Sequence, residues 1–126
     1  MMNSEPVEAV DNATISRALN ISEGVALNTV APLDTICVKT RNSSYRIFLL
    51  DPETGRALIE GGHFVEPIDA LVTGSAGSRS TFKVGWIGIG MRIEFWANDI
   101  LTSTSPVQSF RVETHTKVES VATLIS

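Results

Sequence analysis

The stretch Arg41-Asn-Ser-Ser-Tyr-Arg46 holds two guanidiniums, an amide, two hydroxyls and a phenol. A guanidinium grips a carboxylate or phosphate through two parallel N–H bonds. An amide and hydroxyls beside it can serve the remaining oxygens. Arg41, Asn42, Ser43, Tyr45 and Arg46 are therefore the candidate ligand-binding residues, and a small anion is the ligand they suit. Lys83 and Arg92 are outer candidates, joining the group if their strands are neighbours. The same stretch also reads as a plain turn. Its Asn and Ser side chains would then bond their own backbone, with the arginines solvated or paired to Asp34, Asp51 or Glu94.

Other chemistry is thinner. His63 and His115 are the two histidines, and neither has a His or Cys at a metal-ligand spacing. No metal site is expected, and no cofactor. His63 has Glu60, Glu66 and Asp69 close in sequence, which leaves a small hydrolase or isomerase as a minority reading. Serines are plentiful, but no Gly-x-Ser-x-Gly elbow occurs, so no catalytic residue is assigned. The single cysteine, Cys37, sits between Ile36 and Val38 and reads as a buried, inert thiol. Gly85, Gly88 and Gly90 fall in the order Gly-x-x-Gly-x-Gly, not the order that cradles a dinucleotide. The residues after them, Met91-Arg-Ile-Glu-Phe-Trp96, alternate like a strand, where a dinucleotide fingerprint needs a helix. Those glycines are read as turn or close-packing positions.

These residues need elements to hold them. The 126 residues are one domain by length, and 43% hydrophobic content supports a core without staples. Net charge is −4. The middle of the chain, 31–97, balances seven acids with seven bases, which argues against a nucleic-acid binder. One cysteine makes no internal disulfide, and no signal-peptide or membrane-span pattern occurs, so a cytoplasmic location and no membrane partner are expected.

Residues 1–31 read as an N-terminal tail with a short helix or an arm. Ile15, Leu19, Val25 and Leu27 have roughly helical spacing, with Gly24 as a stop. Residues 32–126 read as a single β domain. Strands are expected over Leu33–Lys39, Tyr45–Leu50, Arg56–Glu60, His63–Val72, 81–96, Ile100–Ser103 and Pro106–Glu113. Asp51-Pro-Glu-Thr-Gly55 is a turn by its Asp, Pro and Gly. Gly74–Ser80 reads as a flexible loop, and Val118–Ile125 as a last strand or short helix. Within 81–96 a glycine turn joins two strands, or one strand kinks. If 82, 84 and 86 face inward on the first, 91, 93 and 95 face inward on the second and Trp96 faces out. The fold class is all-β: a small barrel or sandwich of six to eight short antiparallel strands.

Thr-Arg-Asn-Ser-Ser-Tyr-Arg at 40–46, Leu-Asp-Pro at 50–52, Gly-Gly-His-Phe at 61–64 and Lys-Val-Gly-Trp-Ile-Gly-Ile-Gly-Met-Arg-Ile-Glu at 83–94 carry a resemblance. Over about 33–112 the chain resembles a set of short, uncharacterised bacterial β-rich proteins. That resemblance implies a bacterial cytoplasmic β domain and no particular chemistry. A weaker likeness, to small cyclic-dinucleotide-binding barrels, rests on arginines followed by a Gly-Ile-Gly strand. The Asp/Asn-x-Ser-x-x-Gly element of those barrels is absent, and their function is not carried over. The expectation is a non-catalytic ligand-binding or protein-interaction domain, with self-association through apolar edges as one form. Nucleic-acid or nucleotide binding, with the same arginines and Trp96 or Tyr45 stacking on bases, is the second reading.

Overall fold

The computed structural model describes residues 23–114. The described chain is nearly all strand: β1 (Gly24–Ala26), β2 (Thr35–Thr40), β3 (Ser44–Asp51), β4 (Arg56–Gly61), β5 (Phe64–Ala76), β6 (Phe82–Val84), β7 (Trp86–Gly88), β8 (Arg92–Ala97) and β9 (Ile100–Glu113). One 3-10 turn, Leu27–Thr29, follows β1. Residues 1–22 of the expected N-terminal tail, His115 and the element expected at 118–125 lie outside the described residues; Val25 and Leu27, expected at helical spacing, fall in β1 and the 3-10 turn.

Six strands close on themselves. β2 pairs with β3, β3 with β4, β4 with β5, β5 with β8, β8 with β9, and β9 with β2, every pair antiparallel. The result is a small barrel, which leaves those six strands no long open edge. Each wall strand is written in period two. In β2, Ile36, Val38 and Thr40 point inward, and Cys37 and Lys39 point out. In β8, Ile93, Phe95 and Ala97 point inward, and Arg92 and Trp96 out. The expected phase of 93, 95 and 96 is the observed one.

The core is mainly aliphatic, with Tyr45, Phe95 and Phe110 its aromatic members. Ile36, Ile47, Leu49, Ile59, Ile93, Phe95 and Val107 are at most 2% exposed. Each such side chain contributes roughly 1.5–3 kcal/mol on burial. Leu27, Val30 and Ile87 join this cluster, so the β1–β7 ribbon is packed on the barrel and does not hang from it. The described part of the N-terminal arm is thus extended and docked.

Several expectations need correction. Gly74–Ala76 continues β5 as a strand, paired on one side with β6 and on the other with β8. Only 77–81 remains as loop. The 81–96 stretch is three strands: β6 extends the edge of β5 beyond the end of β4, β7 leaves the wall to pair with β1, and β8 returns to the barrel. Phe82 and Val84 consequently face solvent, at 44% and 80% exposure. Pro67 sits where the β4–β5 register shifts, between Ile59 and Gly61, as a residue without an N–H should. Gly88 is pressed against the Trp86 indole and the Met91 sulfur, closer than a Cβ allows, so it serves packing.

Candidate anion-binding groove

The backbone of the β2–β3 turn is tied into a local hydrogen-bond network. Thr40 Oγ1 donates to the Ser43 carbonyl and accepts from the Ser43 N–H. The Asn42 N–H donates to Ser105 Oγ, and Ser105 Oγ donates to Thr40 Oγ1. The Arg41 N–H donates to the Pro106 carbonyl. Backbone and hydroxyls here tie the turn to β9, as a structural turn would. Tyr45 points into the barrel and its ring lies against Gly62. It is nonetheless among the residues that line the groove formed by its neighbours Ser44 and Arg46.

Arg46 is different, because the next position along an alternating strand faces outward. Its cross-strand partner on β2 is Cys37, and the partner of Cys37 on β9 is Arg111. Two residues on along β2, Lys39 stands between Ser44 of β3 and Ser109 of β9. Directly paired side chains on one sheet face lie about 5 Å apart at Cβ. These residues line one groove of about 530 Å³, together with Glu113. Three cations and one carboxylate therefore meet over a floor of Cys37, Ser44 and Ser109.

The electrostatics are graded across the groove. Arg111 donates through Nε and Nη2 to one carboxylate oxygen of Glu113, at 3.1 and 2.6 Å. This bond holds the Glu113 carboxyl below the usual carboxylate range, against a smaller opposing effect of burial. Arg46 and Lys39 make no ion pair among the described residues. Burial first, and the Glu113 charge second, push the Cys37 thiol up; Arg111 and Arg46 pull the other way and lose. Cys37 is thus a neutral, half-buried thiol on the outer face. The expectation of a buried core thiol is corrected, because alternation from Ile36 and Val38 turns it outward.

The remaining candidates are scattered. The Lys83 ammonium sits 3.6 Å over the Trp86 ring, a cation–π contact away from the groove. Arg92 donates to the Thr104 carbonyl at 3.3 Å and pairs with Pro106, whose carbonyl holds Arg41. Arg41 and Arg92 therefore share one end of the barrel, and Arg46 stands apart from both. His63 is exposed at the β4–β5 turn with its ring edge-on to Phe64. Glu60 and Asp69 line two separate hollows, and His63 lines neither. No group of three or more His, Cys, Asp or Glu able to hold a metal occurs among the described residues. No described helix is long and apolar enough to cross a membrane.

Sequence reading missed Lys39, Ser109, Arg111 and Glu113. Their outward phase was legible, but the β2–β9 pairing that gathers them joins distant segments. No family model, no curated protein and no solved structure matches the chain.

Proposed function

We propose that this domain is a non-catalytic binding module for a small anion with several charged oxygens, a phosphate or a polycarboxylate. The observation that carries this is the convergence of Lys39, Arg46 and Arg111 from three neighbouring strands on one groove, with Lys39 and Arg46 unpaired among the described residues. Arg46 and Lys39 supply the open donors. Ser44 and Ser109 flank Lys39 with hydroxyls able to bond the remaining oxygens. Arg111 is the reserve cation, since a ligand must compete with Glu113 for it.

A nucleic acid is less well served. Sequence-tolerant strand binding uses exposed aromatic rings beside the cations. Tyr45 is buried, and Trp96 belongs to β8, outside the groove.

The test is calorimetric titration of the full chain with inorganic phosphate, pyrophosphate, citrate and nucleoside monophosphates. At least one should bind. A hydrogen bond to a charged group contributes about 1.5–3 kcal/mol, so Arg46→Ala should weaken binding by roughly 10- to 100-fold. Arg41→Ala should leave it unchanged. Loss of binding in the Arg41 variant with none in the Arg46 variant would overturn the assignment.

A further inference from the structure

Arg46 borders two cavities. On one side lies the anion groove. On the other is a smaller hollow of about 170 Å³, lined by Thr35, Arg46, Phe48, Leu58, Glu60 and Pro67. Strand register builds it. Phe48 of β3 pairs with Thr35 of β2 and with Leu58 of β4, while Arg46 pairs with Cys37 of β2 and with Glu60 of β4. The alternation that turns Arg46 outward turns Phe48, Leu58 and Glu60 outward as well. Thr35 also pairs with Glu113, a wall of the groove. The two cavities therefore adjoin at Arg46 and again at the Thr35–Glu113 pair.

Their chemistry differs. The groove offers Lys39, Arg46 and Arg111 with the hydroxyls of Ser44 and Ser109. The hollow is walled by Phe48, Leu58 and Pro67, and its one carboxylate, Glu60, makes no ion pair among the described residues. Glu60 repels a second anionic group there, whereas a flat apolar body is accepted. Size narrows the choice, because a cavity of about 150 Å³ holds one benzene ring. Side chains two residues apart on a strand are about 7 Å apart, so Arg46 and Phe48 are within reach of a ligand whose charged group and ring are joined by one or two atoms.

Resting on the anion-binding reading of the groove, we propose that the ligand is an aryl phosphate monoester. Its phosphoryl group sits on Lys39, Arg46 and the two serines, which supply donors for several oxygens and charge for a dianion. Its ring lies in the hollow against Phe48, Leu58 and Pro67. Arg46 stands between the two parts, and a guanidinium can bond phosphoryl oxygens as well as stack on an aromatic face.

The experiment is calorimetric titration of the full chain with inorganic phosphate and with phenyl phosphate. Phenyl phosphate should bind at least 10-fold more tightly, since a single methylene in an apolar pocket is worth about 10- to 200-fold. Leu58→Ala should remove most of that gain and leave inorganic phosphate unchanged. Pro67→Ser, at an exposed position of β5, gives the same comparison if the Leu58 variant does not fold. Arg46→Ala should weaken both probes. Equal affinity for the two probes overturns the aryl assignment and leaves the anion groove standing. So does a gain that survives both Leu58→Ala and Pro67→Ser, which would place the ring elsewhere. Binding of neither probe removes the anion reading itself, and the aryl assignment with it.

Discussion

Two glycines make a matched pair for testing how the barrel wall is closed. Gly61 has φ +118° and Gly90 has φ +84°, so an alanine at either is strained. Their surroundings differ. A Cβ on Gly90 meets nothing within 4 Å, whereas a Cβ on Gly61 would fall on the Ser44 carbonyl oxygen and within 2.8 Å of the Tyr45 Cα. Those are backbone atoms of β3, and they cannot swing aside. Strain at positive φ costs about 1–2 kcal/mol, and the stiffer unfolded chain returns about 0.4–1 kcal/mol. Gly90→Ala should therefore cost about 1 kcal/mol. Gly61→Ala adds an overpacking cost of about 1–3 kcal/mol, for a total near 3 kcal/mol. In a domain of this size each kcal/mol moves the thermal midpoint by about 4–8 °C. The assay is urea and thermal unfolding followed by Trp86 and Trp96 emission. Gly61 also pairs with both Tyr45 and Phe64, so forcing it apart shifts β4 from the strand that carries Arg46. Anion binding should weaken in the Gly61 variant and stay unchanged in the Gly90 variant. Equal destabilisation by the two would refute the close β3–β4 approach at this point.

Phe95 is 1% exposed and its ring meets Phe64 at 5.9 Å, so Phe95→Ala should cost about 3–5 kcal/mol, a large share of a small domain's stability. A loss under 1 kcal/mol in denaturant titration would mean that β8 is shifted by one residue. Glu113 has its carboxyl held low in the folded state, so its contribution is present above the ordinary carboxylate range and is lost as pH falls through the folded value. The pair with Arg111 is partly exposed, at 55% and 31%, which limits that contribution to about 1 kcal/mol or less. Glu113→Gln should lower stability slightly at neutral pH and not at all in strong acid, where both proteins carry a neutral group; a difference that grows on acidification contradicts the pairing. The same variant removes a carboxylate that holds the Cys37 proton, so iodoacetamide should label Cys37 faster than in the parent protein. Unchanged labelling would place Glu113 away from the thiol.

The strands were legible because period-two alternation is local. Ile36, Val38 and Thr40 against Cys37 and Lys39, or Ile93 and Phe95 against Trp96, can be read without knowing any neighbour. The turn at Asp51–Gly55 was legible for the same reason: its Asp, Pro and Gly act on their own backbone. What alternation cannot give is which strand lies beside which. Arg41 and Arg46 looked like one site because they are close in sequence, yet the intervening Thr40–Ser43 hydrogen bonds put Arg41 on a turn at the barrel end. Arg46 and Arg111 looked unrelated, yet both are partners of Cys37, one across β3 and one across β9. The failure at 82–86 has the same origin. Phe82 and Val84 follow an inward-facing pattern, but β6 continues the edge of β5 past the end of β4, and β7 crosses to β1. Local pattern assigns a face to each side chain; only long-range register decides which side chains share it. In a barrel whose cations come from three strands, the candidate groove is a property of the register. A substitution that shifts β9 by one residue would therefore turn Arg111 inward and erase the groove without altering any residue in Arg41–Arg46.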